Sequence, residues 1–146
     1  MTTLRQLYAR DLHNLVHTDL VMNEIQLISE GSGVSVQELR YGAFDEEKKA
    51  LWGEYRKQSS DCGLVEPIKD GWVIQLKHTI TVDGEEKDKL NVMLPNLDSK
   101  MGETTHYKQA RKTVAYCCNL TPQDVDNMAI GDYMNILTTV MRQFIY

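Results

Sequence analysis

The sequence is poor in cysteine, in clustered positive charge and in long apolar runs, and each shortage closes off a class of protein. Three cysteines, Cys62, Cys117 and Cys118, leave one without a partner in the chain, and the adjacent pair would form only a strained disulfide. A stapled secreted scaffold is therefore not expected, and a reducing cytoplasm is. Lys and Arg number 16 against 21 Asp and Glu, giving a net charge of −5. A coat for nucleic acid needs clustered bases to neutralise phosphate, so no nucleic-acid partner is expected. Residues 1 to 15 are broken by Arg5, Arg10 and Asp11, unlike a secretory leader, and no later apolar run reaches the length of a membrane span. No membrane partner is expected either.

What remains is enough for one ordinary core, with 42% hydrophobic residues in 146. Leu4, Leu7, Tyr8, Leu12, Leu15 and Val16 fall at helical spacing after a possible cap at Thr3, and the pattern resumes at Val21, Ile25 and Ile28 before Gly31-Ser32-Gly33. Ser35 and Glu38 have capping-box spacing, and Gly42 would close the turn that follows. Residues 45 to 59 place acids first and bases last, as the helix dipole prefers. Their apolar content is thin, so the first helix must bury its stripe elsewhere, for which another subunit is one candidate. The stretch from Asp61 to Gly71 reads as loop and as the internal boundary, dividing a helical segment 1–66 from a unit 67–146.

Residues 72 to 94 alternate twice around Asp83-Gly84, a pair suited to the two positive-φ sites of a type I′ turn. Trp72, Ile74, Leu76, His78, Ile80 and Val82 share one strand face, and Leu90, Val92 and Leu94 answer them on the return; Val73, Gln75, Lys77, Lys89, Asn91 and Met93 point the other way. Two strands alone are marginal in water, so helices must cover the apolar face. Tyr107, Ala110, Arg111, Val114 and Cys118 supply one, ended by Asn119; Thr121-Pro122 starts another. Tyr133, Ile136, Leu137, Val140, Met141 and Phe144 mark a last amphipathic helix. The expected fold is α+β, mostly helical, with one antiparallel hairpin packed against C-terminal helices.

Chemistry is scarce. His13 and His17 have i, i+4 spacing but lack the intervening Glu and third ligand of a zinc motif. His78 fits a rim histidine better than a base, and Cys117-Cys118 with His106 fit buried small hydrophobes. Gly31-Ser32-Gly33 lacks the ending of a phosphate loop, and Ser59-Ser60-Asp61 reads as a helix end. The acids at 45–47 and at 83, 85, 86 and 88 read as solvated. No catalytic, cofactor or metal residue is assigned, and an enzyme is not expected.

Three pieces taken in order do resemble a family: Leu76-Lys77-His78-Thr79-Ile80-Thr81-Val82-Asp83-Gly84-Glu85, then Leu90-Asn91-Val92-Met93-Leu94-Pro95, then Asn119-Leu120-Thr121-Pro122-Gln123-Asp124-Val125 with Ile130-Gly131-Asp132-Tyr133. Their order and spacing over residues 72 to 146 resemble the small tail assembly chaperones of long-tailed bacteriophages and prophages, in particular Mu-like ones. This chain has His78-Thr79 where that family commonly carries a proline, lacks its arginine before Pro95, and finds no counterpart there for residues 1 to 66. The resemblance implies a non-enzymatic factor of the host cytoplasm, absent from the mature virion. It would bind the tape-measure protein, keep it soluble and help recruit the tail-tube protein, as a homo-oligomer. A partner surface is expected on the last helix, at Tyr133, Leu137, Met141 and Phe144. A structural tail component and a small acidic regulatory module are the alternatives.

Overall fold

A computed structural model of the chain describes residues 2–13, 15, 20–41, 45–93 and 106–141. Among them lie seven helices, α1 (Ala9–His13), α2 (Leu20–Ser32), α3 (Val36–Tyr41), α4 (Glu46–Ser60), α5 (His106–Cys118), α6 (Pro122–Asp126) and α7 (Ile130–Met141), and three strands, β1 (Val65–Ile68), β2 (Gly71–Val82) and β3 (Glu85–Met93). The strands form one antiparallel sheet in the order β1-β2-β3. The fold is α+β, with the hairpin packed against helices as the alternation requires. Gly42, Leu94 and Phe144 lie outside the described residues, as does the side chain of Met141.

Local signals are realised closely. Asp83 and Gly84 sit at φ 52° and 81°, both positive as a type I′ turn demands. Asp45 caps α4 by accepting from the Glu47 N–H, and Ser35 Oγ accepts from the Glu38 N–H at the start of α3. Thr121 and Asp124 form a reciprocal capping box with Pro122 in the first turn of α6, and Asn119 turns left-handed at φ 54° to end α5.

Three expectations are corrected. Residues 2–7 are not helical: their main chain runs beside α4 and takes its hydrogen bonds from that helix's side chains. Glu54 Oε2 accepts from the Leu4 N–H at 2.8 Å, while Gln58 accepts from the Leu7 N–H and donates to the Arg5 carbonyl. Main-chain bonds from Arg5 to Gly31, from Ala9 to Met128 and from Ile130 to Leu7 hold the other side. Leu4 and Leu7 thus reach the core from an extended strap, and the spacing that suited a helix is met by partners far along the chain.

The stretch read as loop contains β1, so the boundary placed at residue 66 falls inside a strand. One buried cluster draws Leu4, Leu7, Leu27, Ile28, Leu39 and Leu51 together with Ile74, Leu90, Val114 and Ile136. Leu4, Leu7, Leu12, Leu15, Ile25 and Ile28 of the N-terminal stripe are buried against their own chain, while Val21 is exposed and Val16 lies outside the described residues. Alternation along β2 is also interrupted. Between Gln75 and Ile80 the strand carries three more residues than β3 does between Lys89 and Lys87, a wide bulge. His78 falls within it, and its side chain is 47% exposed instead of facing the apolar side.

Candidate functional site

Two of the pieces that carry the resemblance, Lys77-His78 and Gly131-Asp132, meet at the first turn of α7. Gly131 lies against the end of α4: a Cβ there would stand 2.2 Å from the Asp61 carbonyl and 2.6 Å from that of Gln58. Only glycine lets these two helix ends close, one presenting carbonyls and the other amides. Asp132, 1% exposed, aims its carboxylate into the bulge of β2. Its Oδ1 accepts from the Lys77 N–H at 2.9 Å and its Oδ2 from the His78 N–H at 3.0 Å. A bulge deprives strand amides of ladder partners, and this side chain replaces them. Burial pushes the Asp132 carboxyl above the usual carboxylate range, opposed by those two amides. Beside it His78 Nε2 lies 3.4 Å from Asp61 Oδ2, a half-exposed pair at the rim.

A second polar centre joins α1, α5, α6 and α7. Arg111 grips Asp126 with two parallel bonds, Nε to Oδ1 at 2.8 Å and Nη2 to Oδ2 at 2.6 Å. His13 Nδ1 lies 3.0 Å from the same Oδ1, and the imidazole meets the Tyr133 ring edge-on, centroids 5.7 Å apart. Burial lowers the His13 pKa against the pull of Asp126, keeping the ring neutral, and burial raises that of Tyr133. An imidazole oriented by a carboxylate resembles half of a proton-transfer site, but His13 Nε2 is enclosed. In this conformation the arrangement positions helices and offers no atom to a substrate. A third ion pair works likewise: Arg5 forks onto Asp11, which also accepts from the Tyr8 N–H. Burial acts to raise the Asp11 pKa and is outweighed by Arg5 and Tyr8, which leave it lowered.

Cys117, Cys118, Leu120, Lys87 and Lys89 help line an open groove of about 570 Å³ between the hairpin and the end of α5. Burial lifts the two thiols to about 11 and about 12, so both are protonated and weakly nucleophilic at neutral pH. Among the described residues no group of three or more His, Cys, Asp or Glu is placed to hold a metal, and no helix is long and apolar enough to cross a membrane.

Of the expected partner surface, Tyr133 is 1% exposed and belongs to the core, and Leu137 packs half-buried against it. Exposed apolar side chains stand singly on helices at Val21, Tyr41 and Tyr116, and gather on the sheet. Gln75 N–H donates to the Leu64 carbonyl, which sets the rows Leu64-Gln75-Lys89, Glu66-Val73-Asn91 and Ile68-Gly71-Met93 on the face opposite Ile74, Leu90 and Val92. Ile68 and Met93 are each 42% exposed and flank a glycine, with Leu64 at 69% two rows away. Strand alternation already puts Val73 and Met93 on this non-core side; Leu64 and Ile68 give no such signal, because β1 itself reads as loop. Comparison with protein-family models, with curated proteins and with solved structures finds no match for this chain.

Proposed function

We propose that the chain is a non-enzymatic assembly factor of the phage tail chaperone type, which binds a tape-measure protein in the cytoplasm of a bacterial host and keeps it soluble until tail-tube subunits arrive. The support is the role that the resembling residues play in this fold. Asp83-Gly84 turns the hairpin, Thr121-Pro122 starts α6, and Gly131-Asp132 fastens α7 to both α4 and β2. The succession that resembles the family is thus the set of joints of a hairpin roofed by helices, the elements that such a family would keep in order and spacing. A small acidic protein is well suited to this role, since it covers apolar stripes on a long helical partner and adds charge that keeps the pair in solution.

On this reading contact falls on the open face of the sheet, around Ile68, Val73 and Met93, with α7 supporting from beneath. Co-expression with a candidate tape-measure protein is the test. The chain should move that protein into the soluble fraction, and Ile68→Lys with Met93→Lys should abolish the effect without changing the chain's own melting temperature. Unchanged aggregation of the tape-measure protein beside the unaltered chain would refute the proposal. Mass spectrometry of purified particles distinguishes a chaperone, which is missing from them, from a structural tail component, which is retained.

A further inference from the structure

Asp126 takes both bonds of the Arg111 fork and lies beside His13 Nδ1, so the single proton of the neutral imidazole is committed to that carboxylate. His13 Nε2 is consequently a lone-pair acceptor. Tyr133 Oη carries a proton to donate. Each of these atoms is shut off from solvent, and neither has a partner among the described residues. The two rings are neighbours, edge to face. Buried polar atoms in folded proteins are satisfied almost without exception, and two orphans on neighbouring rings with complementary roles, one donor and one acceptor, point to a shared partner.

That partner must accept from a phenol and donate to an imidazole, must be small, and must need no countercharge where Arg111 and Asp126 already neutralise each other. Water meets each requirement. We infer that one buried water molecule is held between Tyr133 Oη and His13 Nε2, completing a network that runs from Arg111 through Asp126, His13 and the water to Tyr133. The network ties α5, α6, α1 and α7 into one unit. It also gives α1, a helix of only five residues, an anchor that its own length cannot supply.

The test is Tyr133→Phe in the full chain, which keeps the ring and its contact with His13 and deletes the hydroxyl. If a water is held there, the variant removes one of its anchors and leaves His13 Nε2 unserved, so the melting temperature should fall by about 2–4 °C, the shift that a single lost interaction produces at this size. If the hydroxyl is a true orphan, phenylalanine removes a liability, and an unchanged or raised melting temperature overturns the inference. A crystal structure supplies an independent reading that does not depend on the variant folding. A single solvent peak within hydrogen-bond distance of both atoms is expected; no peak, two separate peaks, or a direct Tyr133 to His13 bond would each defeat it.

Discussion

Asp132→Ala isolates the joint between α7 and the sheet. The substitution strips acceptors from the Lys77 and His78 amides, which the bulge has already removed from the strand ladder. Hydrogen bonds to a charged group contribute about 1.5–3 kcal/mol each, so two give a gross loss of about 3–6 kcal/mol. Part of this returns, because the variant no longer buries a carboxylate, and the upward push on the Asp132 pKa is the mark of that cost. The net loss should be about 2–4 kcal/mol. For a chain of this size that lowers the melting temperature by about 5–15 °C. Urea unfolding should show an earlier midpoint with an unchanged slope, since the native core is not otherwise altered. Hydrogen exchange gives the residue-level readout: the Lys77 and His78 amides should lose protection while those of Ile74 and Leu90 keep theirs. Asp132→Asn retains one acceptor and turns a donor toward the second amide, so about half the loss is expected. A loss below about 1 kcal/mol for the alanine variant, with both amides still protected, would refute the claim that this carboxylate holds the bulge.

Gly131→Ala should destabilise by about 1–3 kcal/mol in urea, because its Cβ meets two main-chain carbonyls that cannot swing aside. Gly84→Ala meets no atom within 4 Å and should cost only the left-handed strain of φ 81°, about 1 kcal/mol, with no change in the protection of strand amides away from the turn. Because the fold lowers the His13 pKa, the unfolded chain takes up a proton first as pH falls below about 6.5, and stability should decline through the window beneath that value. His13→Gln should flatten this part of a stability-against-pH curve measured by urea midpoints. A thiol reagent at neutral pH should modify Cys62 promptly, and Cys117 and Cys118 only as the protein unfolds, because those two are buried and their thiols raised to about 11 and about 12.

The parts of the fold that could be read from the sequence are those whose cause is local. Asp83-Gly84 needs only its own backbone angles, Thr121-Pro122 only the next three residues, and the helix at 46–60 only its charge order. The strap at 2–7 could not be read this way. Leu4 and Leu7 carry helical spacing, and what holds them extended is supplied by Glu54, Gln58, Gly31 and Ile130. β1 is four residues long with Pro67 at a position whose missing N–H would point away from β2, a sound way to blunt an edge and a poor strand signal. The bulge hides for a different reason. Ile74, Leu76 and Ile80, the buried apolar side chains on either side of it, all carry even numbers, so the sequence of this strand alone reads as alternating although His78 is turned out between them. The interruption shows in the register with β3, where Ile80 faces Lys87 and Ile74 faces Leu90. His13, Arg111 and Asp126 gather from separate parts of the chain, and no spacing announces them.

The first turn of α7 touches every layer in sequence: the Ile130 N–H reaches Leu7 in the strap, Gly131 seats α4, Asp132 pins β2, and Tyr133 meets His13 of α1. Four consecutive residues are thereby committed to holding the molecule together, and Asn135 extends the set with a bond to the Gly63 carbonyl just before β1. A helix so engaged cannot present the same side chains to another protein without unfolding the joint. Substitutions in it should therefore act on stability first and on binding only as a consequence. Ile68 and Met93 are under no such constraint, since across Gly71 they face solvent with the core behind the sheet. Loss of partner binding at unchanged stability is available only to residues of that kind, and it is the result that would separate a binding surface from the scaffold that carries it.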